Sequence, residues 1–192
     1  MRKSLNADFL SDRELEGFGI QDASERRIYI HKTAVIPNFE SIEIDSDVRI
    51  DPYCVLSCRR ISFGRFVHIA ANCTIMGGAA CFFSDFSGLS QGCKIFTSSD
   101  DYSGASLTNP TVPSQLKNVT SADVSLEKHV IIGAGSVILP GVRLEEGVAV
   151  GALSLVRKSL SAWTIHAGNP IQYIGERRTD CRDYETKAYN GF

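Results

Sequence analysis

The chain lacks an excess of charge of either sign and has no long apolar segment. Its 20 lysines and arginines nearly balance 22 aspartates and glutamates, which leaves a net charge of −2. That balance provides no basic surface for nucleic acid or for an anionic membrane. No apolar run has the length of a membrane span, and the first residues contain no apolar signal-peptide core. We therefore expect a cytoplasmic protein that binds neither nucleic acid nor a membrane.

Histidine is scarce, and the cysteines are not spaced as metal ligands. The chain has four scattered histidines and six cysteines without a Cys-x-x-Cys pair. A structural zinc site needs four such ligands, so we expect no metal. Most of the cysteines stand among apolar residues, where a thiol serves as a small hydrophobic group in a reduced core.

What the chain does contain is a six-residue repeat between Leu126 and Val156. An aliphatic residue recurs at every sixth position, and a small or branched residue follows each one four positions later. The aliphatic positions are Leu126, Ile132, Ile138, Leu144, Val150 and Val156. Helices and strands have periods of 3.6 and 2, so neither explains a period of six. Such a repeat indicates a solenoid of the hexapeptide type, a parallel β-helix.

A less regular version of the repeat extends toward the N-terminus. The aliphatic series there reads Ile44, Ile50, Leu56, then Phe63, Ile69, Ile75 and Cys81. It slips by one residue near residues 57–61, which is tolerated where a bulge turns the chain at a corner. Continued without another slip, this phase places Asp85 at the fifth position of a hexapeptide, which is normally small or branched.

Three segments do not follow the repeat: the N-terminal residues, the stretch between 96 and 123, and the C-terminal residues. We assign residues 1–30 to an N-terminal cap, 31–170 to the β-helix and 171–192 to a C-terminal tail with a possible short helix. Ser11 and Glu14 have the spacing of a capping box, which predicts a short helix from about Asp12. Between 96 and 123 the repeat is replaced by polar residues. A loop this long is usually functional or disordered. Four apolar side chains are expected to anchor it, which favours function: Tyr102, Leu107, Val112 and Leu116.

Several motifs together carry a family resemblance. VHIAANCTIMGG, SDFSGLSQGCKIFTSSDDYSG, NPTVP, KHVIIGAGSVILPGV and the terminal AGNP resemble the hexapeptide-repeat acyltransferases. Within that group, the chain is most similar to the N-acyltransferases of dTDP-4-amino-4,6-dideoxyglucose, over roughly residues 48–178. The resemblance implies an all-β, left-handed parallel β-helix that uses coenzyme A, as acetyl-CoA, for its acyl donor. It also implies a homotrimer with active sites between subunits, and a nucleotide-linked amino sugar destined for surface polysaccharide or O-antigen.

The loop between 96 and 123 contains no histidine, the residue that deprotonates the hydroxyl in sugar O-acetyltransferases of this superfamily. An alcohol attacking a thioester needs such a base. A neutral amine is already nucleophilic and needs a carboxylate that positions it and accepts its proton. The missing histidine therefore favours transfer to an amine over transfer to a hydroxyl.

The candidate proton acceptors are Asp85 and Asp100, with His68 in reserve because it should point outward beside an inward Ile69. The alternative for Asp85 is a hydrogen bond to backbone at a corner. The Asp-Asp-Tyr-Ser-Gly run is equally compatible with a simple turn. The predicted substrate-binding residues are Asp101, Tyr102, Ser103 and Asn72.

Two glycine-alanine pairs stand one full turn of the solenoid apart, at Gly133-Ala134 and Gly151-Ala152. Small stacked residues would let a pantetheine arm approach the backbone; tight packing of coils would require them equally. The other predicted coenzyme-binding residues are Asn169, Pro170, Arg157 and Arg177. Two further functions remain open: O-acetylation of a sugar or serine with His68 as base, and a non-catalytic or metal-binding β-helix scaffold.

Overall fold

Apolar side chains in successive turns stack above one another on three flat faces. On the first face the inward stack is no more than 3% exposed and consists of Ile30, Ile50, Ile69, Leu89, Ile132 and Val150. Burying each such side chain contributes about 1.5–3 kcal/mol. The computed structural model describes residues 8–190 and is a left-handed parallel β-helix of about seven turns. The predicted fold is confirmed.

The strands are short and run parallel within each face, apart from the last strand. The first face holds β1 (Tyr29–Ile30), β3 (Arg49–Ile50), β5 (His68–Ile69), β7 (Gly88–Leu89), β12 (Ile131–Ile132), β15 (Ala149–Val150), β17 (Thr164–Ala167) and the antiparallel β18 (Gln172–Glu176). The second face holds β8 (Lys94–Phe96), β13 (Val137–Ile138) and β16 (Leu155–Val156). The third holds β2 (Ile42–Ile44), β11 (Val124–Leu126) and β14 (Arg143–Leu144). Two long strands, β4 (Val55–Phe63) and β6 (Thr74–Phe83), continue from the second face onto the third.

The N-terminal helix α1 (Asp12–Gly17) begins where the capping box predicted it. The Ser11 side chain accepts a hydrogen bond from the Glu14 amide, and the Glu14 carboxylate accepts one from the Ser11 amide. Leu15 is buried in the same core cluster as the coils. Residues 1–7 of the predicted cap lie outside the described residues. Among residues 8–190, no helix is both long and apolar enough to cross a membrane.

The aliphatic phase predicted beyond Ile75 was wrong by two residues. In β6, Phe83 rather than Cys81 occupies the aliphatic position, because it pairs with Phe63 and Leu126. The extra residues lie where β4 and β6 turn the corner and their register shifts between Cys58 and Arg60.

The fifth position of the next hexapeptide is therefore filled by Ser87, which is 2% exposed. Asp85 instead lies in the turn that precedes it, two residues from the position that the sequence phase gave it.

A ladder of rings runs along the corner between the third and first faces. Phe66, Phe86 and His129 all have left-handed backbone conformations at equivalent positions. Their rings stack, with centroids 4.7 Å and then 5.1 Å apart. The next coil has Gly147 at this place, which leaves room for the Trp163 ring to approach His129 at 5.8 Å. Ring contacts thus connect four coils at this corner.

The loop leaves the β-helix between the second and third faces and is held by hydrogen bonds. Strands β9 (Ser98–Ser99) and β10 (Thr120–Ser121) pair antiparallel at its base, and a 3-10 turn covers Ser114–Leu116. The expectation of apolar anchoring was wrong for Tyr102, Leu107 and Leu116, which are 94%, 56% and 51% exposed. Backbone and side-chain polar groups take the place of a hydrophobic anchor.

The C-terminal segment, residues 177–190, folds back across the ring ladder. It contains a 3-10 helix (Asp180–Tyr184) followed by α2 (Glu185–Asn190), which confirms the predicted terminal helix. The Tyr189 ring meets Phe66 and Phe86 edge-on at 5.8 and 5.3 Å. Glu185 bonds with Lys128 and His129, each at 2.8 Å. The segment is thus attached to three successive coils.

Candidate active site

The loop forms a small acidic hollow. Asp100, Asp101, Tyr102 and Thr108 line a cavity of about 270 Å³. A neighbouring cavity of about 290 Å³ is lined by Phe96, Ser98, Ser99, Asp100, Tyr102, Leu139 and Pro140. We call these two cavities the loop hollow. Asp100 and Tyr102 belong to both, so the structure brings together the predicted catalytic carboxylate and a predicted substrate contact.

The carboxylates of Asp100 and Asp101, both in the loop, differ in the number and length of the hydrogen bonds they accept. Asp101 accepts hydrogen bonds from the Ser103 amide at 2.8 Å and the Ser106 hydroxyl at 2.9 Å. These bonds from Ser103 and Ser106 lower the pKa of Asp101. Asp100 accepts one longer bond, from the Asn109 amide at 3.3 Å. Asp101 and Ser103 shape the turn, whereas Asp100 has oxygen capacity left for a ligand.

Both carboxylate oxygens of Asp85 accept hydrogen bonds within the corner where it lies. One oxygen accepts the Arg65 amide at 2.8 Å, and the other accepts the Tyr189 hydroxyl. The structure therefore gives Asp85 the backbone-bonding role that was the alternative in the sequence. It also joins Asp85 to the C-terminal segment, and places it away from the loop hollow.

A second cavity lies on the first face, where a glycine replaces an outward side chain. Gly88 stands between His68 and Ile131 in adjacent coils and lines a cavity of about 470 Å³. A Cβ at Gly88 would lie 2.9 Å from the His68 carbonyl oxygen, so the close approach of these coils requires the glycine. We call this space the Gly88 cavity. Its other walls are the ring ladder, residues 87–91 and, from the C-terminal segment, Arg177 and Cys181.

His68 lines the Gly88 cavity and points outward as predicted. Its Nε2 lies 2.8 Å from Asp51, whose other oxygen accepts from Arg49 Nε at 2.6 Å. Burial raises the pKa of Asp51, but the hydrogen bonds from His68 and Arg49 outweigh it, and the net pKa lies below the ordinary aspartate value. An ionised Asp51 fixes the orientation of the imidazole.

Asn72 lies at the exposed corner between the first and second faces. It adopts a left-handed conformation with φ of 61°, as Tyr53, Gly92, Gly135 and Leu153 do at the same corner of other coils. Asparagine tolerates that conformation better than most side chains. The turn by itself accounts for this residue, and the structure does not bring it to the loop hollow.

The third cavity lies beside the last coils and has a volume of about 430 Å³. It is lined by Leu155, Arg157, Lys158, Ser159, Leu160, His166, Asn169, Pro170, Ile171 and Tyr173. We call it the C-terminal cavity. It brings together three of the predicted coenzyme residues, Arg157, Asn169 and Pro170. Burial lowers the pKa of His166 on its wall.

The glycine-alanine pairs are contacts between coils. A Cβ at Gly133 would lie 2.4 Å from the Ala152 amide nitrogen, and one at Gly151 would lie 2.8 Å from the Ala167 Cβ. Ala134 accepts a hydrogen bond from the Leu153 amide in the next coil. Tight stacking therefore requires the two glycines, and none of the four residues lines the C-terminal cavity.

Arg177 is not near Arg157. Its Nη1 donates to the carbonyls of His129, Gly147 and Val148 at 2.7, 2.9 and 3.4 Å, and its side chain lines the Gly88 cavity. It is thus separated from the other predicted coenzyme residues. Over the described part of the chain, no three His, Cys, Asp or Glu side chains form a group that could hold a metal ion.

Comparison with known proteins gives one consistent result. The chain is 36% identical over 180 residues to the dTDP-4-amino-4,6-dideoxy-D-glucose acyltransferase of Escherichia coli, an alignment that covers 93% of both proteins. The chain belongs to the dTDP-4-amino-4,6-dideoxyglucose acyltransferase family. No family model matches it.

Solved acyltransferase structures agree with this assignment. The structure matches AntD, an N-acyltransferase from Bacillus cereus, in complex with dTDP and 3-hydroxybutyryl-CoA, with a TM-score of 0.88, 39% identity and coverage of 95% and 98% of the two chains. An AntD variant bound to dTDP-4-amino-4,6-dideoxyglucose and coenzyme A gives a TM-score of 0.90 at 38% identity, with coverage of 96% and 99%. The chain is therefore an acyltransferase, and the non-catalytic scaffold is not needed to explain it.

Three residues at or beside the cavities of this acyltransferase were not predicted from the sequence. Asp51, which orients His68 at the Gly88 cavity, stands seventeen positions earlier and becomes its neighbour only when coils stack. Ser90 and Cys181 line the Gly88 cavity. The available signal was the glycine at position 88, because a glycine within a strand often marks a close approach by a ligand or by another backbone. Here the backbone carbonyl of His68 lies 2.9 Å from where a Cβ would be.

Proposed function

We propose that the chain transfers an acyl group, acetyl in the first instance, from acyl-CoA to the 4-amino group of dTDP-4-amino-4,6-dideoxyglucose. The observation that carries the proposal is the loop hollow, which offers carboxylates and contains no histidine. The complexes of AntD with this sugar nucleotide and with acyl-CoA support the substrate pair. The product would serve surface polysaccharide or O-antigen synthesis.

In the proposed reaction Asp100 holds the amine and accepts its proton. The lone pair of the neutral amine attacks the thioester carbonyl, a C–N bond forms and the C–S bond breaks. The proton that Asp100 takes from the nitrogen is passed to the departing thiolate, so the coenzyme leaves as its thiol. AntD has been studied with substitutions at an aspartate and at a serine ten positions before it. Here Ser90 precedes Asp100 by the same interval, which supports a role for both.

We propose a homotrimer in which each active site is completed by a neighbouring copy. The Gly88 cavity opens on the first face, while the loop leaves the opposite corner, so the two regions of one copy face apart. The outward side of the second face carries apolar side chains suited to packing against another copy, beside the polar Thr74 and Lys94. The apolar ones are Val55, Met76, Phe96, Leu139 and Leu155. Asp100 would then reach the sugar held by its neighbour.

We also propose that the protein acts in the cytoplasm, where both substrates are expected. Its six cysteines are free thiols, and five are buried in the core. Free thiols in this number are typical of a reducing compartment.

The test is an acyl-transfer assay followed by mass spectrometry. The enzyme is incubated with acetyl-CoA, or with 3-hydroxybutyryl-CoA, and with dTDP-4-amino-4,6-dideoxyglucose or its 4-hydroxy counterpart. We expect the mass of one acyl group to be added to the amino sugar and not to the 4-hydroxy sugar. Acylation of the 4-hydroxy sugar would favour the O-acetyltransferase alternative, with the Asp51–His68 pair as base, and would contradict the proposal.

A further inference from the structure

Three of the cavities of this chain, namely the loop hollow, the C-terminal cavity and the Gly88 cavity, differ in charge. The loop hollow has two carboxylates and no cation in its lining. The C-terminal cavity has Arg157 and Lys158 and no carboxylate, and the Gly88 cavity has Arg177 and no carboxylate. The reaction under Proposed function brings together one amine and two phosphate-bearing substrates. One acidic and two basic cavities match that set.

Arg177 is held in place before any ligand arrives. Its Nη1 donates to three carbonyls of adjacent coils, and its own amide donates to the Trp163 carbonyl at 2.7 Å. Within residues 8–190 its Nε and Nη2 donate to no acceptor, so these N–H groups remain available at the cavity. A guanidinium fixed in this way loses little side-chain entropy when it binds a phosphate.

The rest of the lining suits an anion that carries a flat organic group. Ser90 and Gln91 provide neutral donors along one wall, and Phe66 and Phe86 provide an apolar wall. Nearby carboxylates are already neutralised, since Asp51 is bonded to His68 and Arg49 and Glu185 to His129 and Lys128. The remaining uncompensated charge at the cavity is therefore positive.

We propose that the Gly88 cavity binds the diphosphate-bearing part of the nucleotide sugar, with Arg177 as its fixed cation. This rests on the proposed function for the identity of the nucleotide. The proposal makes Arg177 a ligand of the nucleotide rather than of coenzyme A. The C-terminal segment then forms one wall of the nucleotide site.

Cys181 supplies a direct reporter, because it lines the same cavity and is the one partly exposed thiol of the six, all of which fall within the described residues. Full-length protein is alkylated with iodoacetamide with and without dTDP, and Cys181 is followed by mass spectrometry. We expect dTDP to slow its alkylation and coenzyme A to leave it unchanged. Arg177→Gln should weaken the dTDP protection by about ten- to a hundredfold in concentration, and Arg177→Lys by less. The control Arg178→Gln removes a side chain that is 87% exposed and should change nothing.

Folding is checked by thermal melting of each variant. If Arg177→Gln does not fold, Ile131→Trp tests the same site, because it narrows the cavity from an exposed position without touching Arg177. Absent protection by dTDP in the wild type, or equal protection in the wild type and a folded Arg177→Gln, overturns the proposal. The acyl-transfer assay is scored separately: dTDP protection without acylation of the amino sugar leaves this site standing while the proposed function fails.

Discussion

His129 Nε2 lies 2.8 Å from Oε1 of Glu185, so the ring ladder of the β-helix is bonded directly to the C-terminal helix. The other carboxylate oxygen accepts from Lys128 Nζ at 2.8 Å. His129 is 6% exposed between Phe86 and Trp163. The ring is hidden from solvent because the C-terminal segment folds back over it.

This ion pair predicts a pH-dependent contribution to stability. Hydrogen bonds from Lys128 and His129 lower the pKa of Glu185 below 4.5. A carboxyl with a depressed folded-state pKa stabilises the fold above its unfolded pKa, and the contribution is lost as pH falls through the folded value. At pH 7 we expect Glu185→Gln to lower Tm by about 2–4 °C, the effect of roughly 1 kcal/mol for a partly exposed pair.

Thermal melts followed by circular dichroism at pH 7, 5 and 3.5 check this. The difference between wild type and Glu185→Gln should shrink toward the lowest pH. Glu25→Gln is the control, since Glu25 is exposed. A Glu185→Gln effect of the same size at every pH would contradict an ionic origin.

Coil packing at Gly133 makes a second prediction. A Cβ there would lie 2.4 Å from the Ala152 amide nitrogen, so Gly133→Ala must push two coils apart. Overpacking of this kind costs about 1–3 kcal/mol. We expect a lower urea midpoint with an unchanged slope. Gly17→Ala is the matched control, because a Cβ at Gly17 meets nothing within 4 Å. Equal urea midpoints for both variants would refute the packing requirement and would favour a coenzyme-binding role for Gly133.

The sequence predicted the solenoid because its inward residues repeat locally, and each coil copies the one before. The phase failed at β6 because the extra residues sit at a corner where the register with β4 shifts. Nothing in a single hexapeptide signals such an insertion. The error moved Asp85 from a corner turn to an inward position and gave it a role that its bonds to Arg65 and Tyr189 already explain.

Contacts between distant segments were beyond the repeat pattern. Arg177 was grouped with Arg157 because both follow the last regular coils, yet the chain reverses through the antiparallel β18 and carries Arg177 to another face. Asp51 and His68 are neighbours only through coil stacking. Asp100, by contrast, could be proposed from the sequence, because it lies in the loop that interrupts the repeat and that loop has carboxylates but no histidine. Its catalytic role stays a prediction.

The C-terminal cavity should report on the coenzyme. Arg157 and Lys158 are its two cations and both are exposed. If they meet coenzyme phosphates, Arg157→Gln with Lys158→Gln should raise KM for acyl-CoA about tenfold or more, leave KM for the amino sugar unchanged, and reduce the dependence of KM on salt. Steady-state kinetics at two ionic strengths measure this. Arg182→Gln, an exposed cation outside this cavity, is the control. A rise in KM for the sugar alone would place the coenzyme elsewhere.

Asp100 and Asp85, the two candidate carboxylates, can be distinguished by whether replacing them lowers turnover or lowers stability. Asp100 has oxygen capacity facing the loop hollow, so Asp100→Asn should lower kcat by about 10²–10⁴-fold while leaving Tm unchanged. Raising the pH should recover part of that loss, because the amine then loses its proton to solvent.

Asp85→Asn should instead lower Tm, since it weakens the bonds to the Arg65 amide and the Tyr189 hydroxyl. Its kcat should fall only modestly. Tyr189→Phe, which breaks one of those bonds without removing a carboxylate, should reproduce most of the Asp85→Asn effect. If Asp85→Asn abolishes turnover at an unchanged Tm, and Asp100→Asn remains active, then the proton passes to Asp85 and the loop serves binding alone.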